Sequence, residues 1–298
     1  MRYSSARAFG IAFCLTAAVL APLIYGVYLL SQWQAKEIEE EQVAQSESGI
    51  VITTPTSQNC MTILLCVVGE ESTGFGLLRL DAMENVIYYA ALPSEGVLLN
   101  GNATPTLAES YTAAGPARVA QLLRETLGIE IDHYLAITDT RLPTLAAEYG
   151  SVRVGLSGAL SSAVLSFLEI DGSVSEWTVS EMQAFSADLK EEITQDQTDV
   201  TPETLASVRN AFWEGWLRDK LTQLPATLPD ALRNISASIL SDISATDLYT
   251  LADTLEFLAN NDAQVVPVPL VGDWNRSAGQ YLFNDDTLAA FSVFMPVE

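Results

Sequence analysis

The chain opens on an apolar block. No charged residue lies between Ala8 and Leu30, a run of 23 residues. As a helix this run reaches roughly 34 Å, enough to cross a hydrocarbon core of about 30 Å. Arg2 and Arg7 precede it, Tyr25, Tyr28 and Trp33 lie at its far edge, and every acidic residue follows it, from Glu37 onward. The pattern predicts a transmembrane helix over 8–30 behind a cytoplasmic tail, 1–7, with the rest of the chain outside the cell membrane. A cleaved signal peptide fits less well, because its apolar region is about 7–15 residues long. Pro22 also follows the best cleavage position, Ala21, and Phe13 is too bulky for a lipoprotein site at Cys14. Residues 31–58, charged at first, then Thr-rich and interrupted by Pro55, read as a stalk.

Beyond the stalk the periodicity alternates between strand and helix. Met61–Val68 is a continuous apolar run, as expected of a strand covered on both faces. Phe75–Asp81 and Val86–Leu92 follow as two strands joined by the hairpin-length Ala82–Asn85. Gly115-Pro116 opens a helix with Val119, Leu122, Leu123 and Leu127 on one stripe and Gly128 at its end. Ile129–Thr138 reads as a strand, Thr140–Tyr149 as a short helix and Ser151–Leu156 as a further strand. Thr201-Pro202 starts a long helix in which Leu205, Val208, Phe212, Trp216 and Leu217 share a face. Ser244 and Asp247 form a capping box ahead of Leu248, Leu251, Leu255 and Leu258, and Gln264–Val271 is a late β-like run. No repeat or Gly/Ser linker divides residues 59–298, which predicts one α/β domain with a mixed central sheet sandwiched by helices.

Composition narrows the chemistry. With 38 acidic against 14 basic residues and a net charge of −24, the chain has no basic face for nucleic acid. Its single histidine, His133, excludes multi-His metal sites and reads as a structural or surface residue. Cys60 and Cys66 lie roughly 20 Å apart on an extended strand, too far for a disulfide, and read as thiols. Gly155-Leu156-Ser157-Gly158 brings its second glycine one position early for a nucleophile elbow, and Asp196, Asp199 and Glu203 lack the spacing of a calcium loop.

The order of segments resembles the LytR-CpsA-Psr (LCP) family of bacterial envelope proteins. Thr62-Ile63-Leu64-Leu65 matches the family's TILLLG strand, and Ala91-Leu92-Pro93-Ser94-Glu95 sits where the family reads S-I-P-R-D. Leu107–Gly128 is similar to its I-N-x-A-Y-x-x-G-G-P segment and the helix after it. Ile131–Tyr134 resembles the I-D-x-Y strand, and Ala147–Val152 the D-x-L-G-G-V turn. The resemblance covers about 61–156 well and continues in places to about 260. It implies a membrane-anchored phosphotransferase that moves a glycopolymer from a polyprenyl-pyrophosphate carrier onto peptidoglycan. The implied partners are the polyprenyl-phosphate-linked glycopolymer, peptidoglycan and the membrane. The lipid would lie between sheet and helices, and arginines with Mg²⁺ on acidic residues would hold the pyrophosphate.

Carried over by position, much of the ionic apparatus is replaced. The arginine and aspartate of P-R-D fall on Ser94 and Glu95, and a metal-binding aspartate falls near Ser72–Phe75. The lysine and asparagine before the helix become Thr106 and Ala108, and an arginine pair falls near Leu189–Glu191, leaving Lys190. In the late R-x-x-R-Q stretch, Ala206 replaces the first arginine while Arg209 and Asn210 take the places of the second arginine and the glutamine. The resemblance thus implies lipid-pocket residues Leu122, Leu123, Val208, Phe212 and Trp216, family-equivalent site positions Ser94, Glu95, Arg209 and Asn210, and no assigned metal ligand. The leading expectation is a carrier-binding protein with weak or no transferase activity. One alternative is an active enzyme using Glu95, Arg209 and Arg79 with Mg²⁺; another is a non-enzymatic adhesion or sensor ectodomain.

Overall fold

The computed structural model describes residues 54–70, 73–194 and 200–295. The predicted anchor, the cytoplasmic tail, most of the stalk, Ser72, Asp196 and Asp199 lie outside these residues. Among the described residues no helix is long and apolar enough to cross a membrane.

Strands β1 (Cys60–Val68), β2 (Thr73–Asp81) and β3 (Val86–Leu92) form an antiparallel meander. Helix α1 (Leu107–Leu127) is capped by Thr106, whose hydroxyl accepts from Glu109 N while the Glu109 carboxylate accepts from Thr106 N. It breaks at Ala114 and Gly115, where Gly115 takes a φ of 72°, and resumes at Pro116. The predicted helix start at Gly115-Pro116 is therefore the second of two helical stretches.

Strand β4 (His133–Thr138) runs parallel to β1 and is shorter than expected. Glu130 N and Asp132 N are satisfied instead by Phe294 O and Thr62 O. There follow α2 (Leu142–Ala146), β5 (Val152–Val154), α3 (Ser162–Phe167), β6 (Ser175–Trp177), α4 (Val179–Thr194), α5 (Pro202–Lys220) and α6 (Leu224–Asn234). Strand β7 (Ile239–Ser241), α7 (Ala245–Asn260), β8 (Gln264–Pro267), β9 (Asp273–Asn275), β10 (Gln280–Leu282) and α8 (Asp285–Ala290) complete the chain. The main sheet has the mixed order β7-β4-β1-β2-β3-β8, with β3–β8 the second parallel pair. The late β-like run ends at Pro267, whose ring nitrogen has no proton for a ladder. Helices cover both faces, as the α/β sandwich reading requires.

Alternation along the strands separates two cores. One face turns Leu64, Cys66, Phe75 and Leu77 toward Val119, Leu122, Leu123 and Leu127 of α1. The other turns Met61, Ile63, Leu80 and Ile87 toward Leu217 of α5 and Leu251, Leu255 and Leu258 of α7. A third core joins β5 and α4 to Leu205, Val208 and Phe212 of α5. Cys60 and Cys66 are free thiols, and burial pushes the Cys66 thiol up to about 12.

One side chain locks α5 to the sheet. Asn210, 4% exposed, accepts from Ala91 N of β3 at 2.8 Å and donates to Val268 O, just past β8, at 2.8 Å. It bridges the two strands where their direct pairing has ended at Tyr89–Pro267. Removing the amide would leave two buried backbone groups unpaired, at about 1–3 kcal/mol each. An Asn210→Ala variant is therefore expected to lower Tm by at least about 4 °C in thermal unfolding; an unchanged Tm would show that the strands close on each other without it.

Candidate functional site

Three segments distant in sequence bring charge to one end of the sheet. The first is the turn after β3. Gly96 N donates to Pro93 O at 3.0 Å, Ala108 N to Ser94 O at 3.0 Å, and Tyr281 N of β10 to Glu95 O at 3.0 Å. A β-carbon on residue 96 would come within 2.6 Å of both Leu107 and Phe283, so the turn lies hard against the start of α1. Ser94 and Glu95 are thereby fixed at the backbone.

The second segment is α4, which packs Met182, Leu189 and Ile193 into the third core and turns Lys190 toward that turn. Lys190 Nζ donates to Ser94 Oγ at 2.5 Å and stands 3.4 Å from Glu95 Oε1, while Ser94 Oγ donates to Glu95 Oε1 at 2.9 Å. Burial lowers the Lys190 pKa, and the nearby Arg209 lowers it further against the pull of Glu95.

The third segment is α5. Thr201 caps it in a reciprocal pair with Thr204, Pro202 occupies its first turn, and Arg218 and Lys220 close its last turn. Arg209, Trp213 and Trp216 follow one another at helical spacing. The Arg209 guanidinium lies over Gly74 of β2, 3.7 Å from where a β-carbon would stand. The next residue on that face, Gly76, would place a β-carbon 2.6 Å from the Tyr89 hydroxyl. Two glycines at alternate positions of a central strand thus leave room for a guanidinium and a phenol on the sheet. Burial lowers the Arg209 pKa, opposed by Tyr89 and Glu95, and burial keeps Tyr89 neutral well above its usual range. Arg209 stays charged, because its intrinsic pKa exceeds about 12. Among the described residues no carboxylate closes to ion-pair distance of it.

An apolar surface extends from this cluster. On the α1 side of the sheet Leu64 and Leu77 are wholly buried, whereas on the α5 side Leu65, Leu78 and Leu135 keep part of their surface accessible. Leu65 pairs in register with Gly76 and Leu135, so these positions are contiguous. Beside Leu78 in the sheet, Tyr89 starts a chain of rings that continues through Trp213, Trp216 and Tyr149, with centroids 5.3, 5.8 and 5.3 Å apart. Partly buried Leu228 and Leu248 extend the same lining. From Arg209 to Trp216 the helix rises roughly 10 Å.

The sequence-derived site residues divide. Ser94, Glu95 and Arg209 converge, and Lys190, the cation left by the substitutions, joins them. Asn210 bridges Ala91 N and Val268 O. Arg79 does not converge: alternation puts it on the α1 face, 9% exposed, paired with Asp81 at 3.0 Å. Leu122 and Leu123 fill the α1 core, while Val208 and Phe212 fill the third core, because their stripes point away from the α5 face of the sheet. Of the five lipid-pocket positions Trp216 alone borders the accessible apolar surface. Glu203 interacts with Tyr281, which burial holds neutral. Gly74, Gly76, Tyr89 and Trp213 were missed, although a Gly-x-Gly inside a strand signals the close approach of another group.

Among the described residues this cluster does not fit Mg²⁺. Glu95 is the carboxylate that both cations feel, and it already bonds Lys190 and Ser94. Among the described residues no three His, Cys, Asp or Glu side chains assemble into a group able to hold a metal ion.

No protein-family model matches the sequence, and no curated protein matches it. Solved structures do share its fold. TagT bound to LIIa-WTA is 12% identical, with a TM-score of 0.58 over 82% of this chain and 95% of that one. B. subtilis TagV is 11% identical, with a TM-score of 0.55 over 80% and 97%. A transcriptional regulator from Enterococcus faecalis is 13% identical, with a TM-score of 0.58 over 81% and 89%. The fold is LCP-like, as the sequence resemblance implies.

The depressed Lys190 pKa has a stability consequence. In the window between the lowered folded value and about 10.5 the unfolded chain binds more protons at this group, so its contribution rises with pH and is lost as pH falls through the folded value. Urea unfolding of wild type and Lys190→Met from pH 8 to 10.5 is expected to show a steeper rise for wild type. Parallel curves would mean that Lys190 titrates as an exposed lysine.

Proposed function

Taking the LCP-like fold as the premise, we propose that this is a membrane-anchored protein of bacterial cell-wall glycopolymer assembly that binds a polyprenyl-(pyro)phosphate carrier, with weak or no transferase activity. The observation that carries this reading is the pairing of a buried Arg209–Lys190 head with an adjoining apolar surface along Leu65, Leu78, Leu135, Trp213 and Trp216. Such a shape suits an amphiphile with an anionic head and a long hydrocarbon tail. The apolar run 8–30 anchors the chain, with residues 59–298 on the outer side, within reach of a membrane-borne carrier and of peptidoglycan. That TagT was solved bound to LIIa-WTA supports a glycopolymer-linked ligand class.

Weak transfer follows from electrostatics. A phosphoryl or glycosyl phosphate transfer leaves charge that preorganised cations must stabilise, and one lost donor typically costs about 3–4 kcal/mol. Here Ser94 occupies the implied arginine position, and Lys190 is tied to Glu95. A second reading, an active phosphotransferase, is favoured by the convergence of Glu95 with Arg209 and opposed by the position of Arg79.

Organic extraction of the purified full-length protein, followed by mass spectrometry, is expected to yield a prenyl phosphate or pyrophosphate. Arg209→Ala should reduce that yield by about tenfold or more, since a buried charged contact contributes on the order of 1.5–3 kcal/mol. Wild-type protein free of prenyl lipid when expressed in a host that makes it would sink the reading.

A further inference from the structure

We propose that Asn100-Gly101 is a self-modification site, at which the folded chain converts its own asparagine into an aspartyl or isoaspartyl residue with water as the only co-reactant. The proposal is independent of the carrier-binding reading.

Of the asparagines in the chain, Asn100 is the one followed by glycine. The pair stands at the tip of an arm, 97–106, that leads into α1. Val97 bridges Thr106, Leu98 N donates to Pro105 O at 2.8 Å, and Asn100 and Ala103 exchange backbone bonds at 3.0 and 2.9 Å. Leu98 is wholly buried and Leu99 N donates to Thr126 Oγ1 of α1 at 2.8 Å, so the arm is held down while Asn100 and Gly101 stay exposed. Gly101 takes a φ of 60°, and nothing stands within 4 Å of where its β-carbon would be. Among the described residues no backbone carbonyl accepts from its N–H. The tip thus sets an unhindered backbone nitrogen beside a side-chain amide. Asn102 is equally exposed, but the next nitrogen along, Ala103 N, carries a side chain and is donated to Asn100 O.

The Asn100 amide is also polarised. Arg118 of α1 donates from one guanidinium nitrogen to Asn100 Oδ1 at 2.7 Å and from another to Gln121 Oε1 at 2.7 Å. When Gly101 N attacks Asn100 Cγ, negative charge develops on that Oδ1, where a cationic donor stabilises it. Hydroxide takes the Gly101 amide proton, the new N–C bond closes a five-membered succinimide, and Nδ2 leaves as ammonia with a proton from water. Water then opens the ring at either carbonyl to give aspartate or isoaspartate, with no change of oxidation state. Aspartate would meet Arg118 as an ion pair, whereas isoaspartate would lengthen the backbone by one carbon at the Asn100–Ala103 pair.

The test is peptide mapping by mass spectrometry of the full-length protein in detergent, fresh and after incubation in warm, mildly alkaline buffer, with isoaspartyl methyltransferase labelling of the aged sample. Asn100 is expected to gain about one dalton and to become a methyl acceptor, while Asn102 stays unchanged. Arg118→Met should slow the gain about tenfold, less than the roughly hundredfold or more typical of a buried oxyanion donor, because this pair is exposed. Arg118→Lys should restore part of the rate. In urea, wild type and Arg118→Met should react at one rate, which separates a lost donor from a misfolded variant. Asn100→Asp, the product made directly, should show no gain at this position. Absence of a gain at Asn100, or an equal gain at Asn102, would overturn the proposal. A folded Arg118→Met protein that reacts as fast as wild type would overturn it too, by showing that the fold does not drive the step.

Discussion

A guanidinium laid onto the face of a β-sheet is costly unless something makes room for it and something holds it there. The arrangement around Arg209 supplies both. Gly74 and Gly76 take side chains away from the sheet surface, so that the charged group and the Tyr89 phenol occupy the space where a Val or Ile would ordinarily pack. Asn210, the next residue on α5, hydrogen-bonds to β3 and to the chain just past β8 and so sets how closely the helix approaches. Desolvation opposes the charge, which is why the Arg209 and Lys190 pKa values both fall. Glu95, on the Pro93–Gly96 turn, partly offsets the cost of burying the Arg209 charge.

The same geometry explains why the two faces of the sheet differ. Over α1 the leucines are closed off completely and the packing is that of an ordinary core. Over α5 the rings of Trp213 and Trp216 pack edge to face, and Leu65, Leu78 and Leu135 keep part of their surface accessible. On the α1 face the charge stands as a pair, Arg79 with Asp81, beside a filled core.

Much of the fold was legible in the chain. Continuous apolar runs marked β1 to β3, and the Pro-led and Ser-capped starts marked α5 and α7. Segments 162–194 and 224–241 were not, because their apolar positions serve a local core of short elements with no clean period. Within the site, Ser94, Glu95 and Arg209 could be placed by resemblance to a known motif order. Lys190 could be noticed but not positioned, since nothing local says that α4 packs so as to turn it onto residue 94. Arg79 was misplaced for a simpler reason: one residue along a strand moves a side chain to the opposite face. For Leu122, Leu123, Val208 and Phe212 a helical stripe identified what is buried without saying which core each would join.

The bond from Lys190 to Ser94 joins residues 96 apart in sequence. Contacts of such separation close late, after the loop entropy of the intervening chain has been overcome. A nascent or partly assembled copy, even one with its sheet meander formed, therefore lacks the Lys190–Ser94–Glu95 cluster.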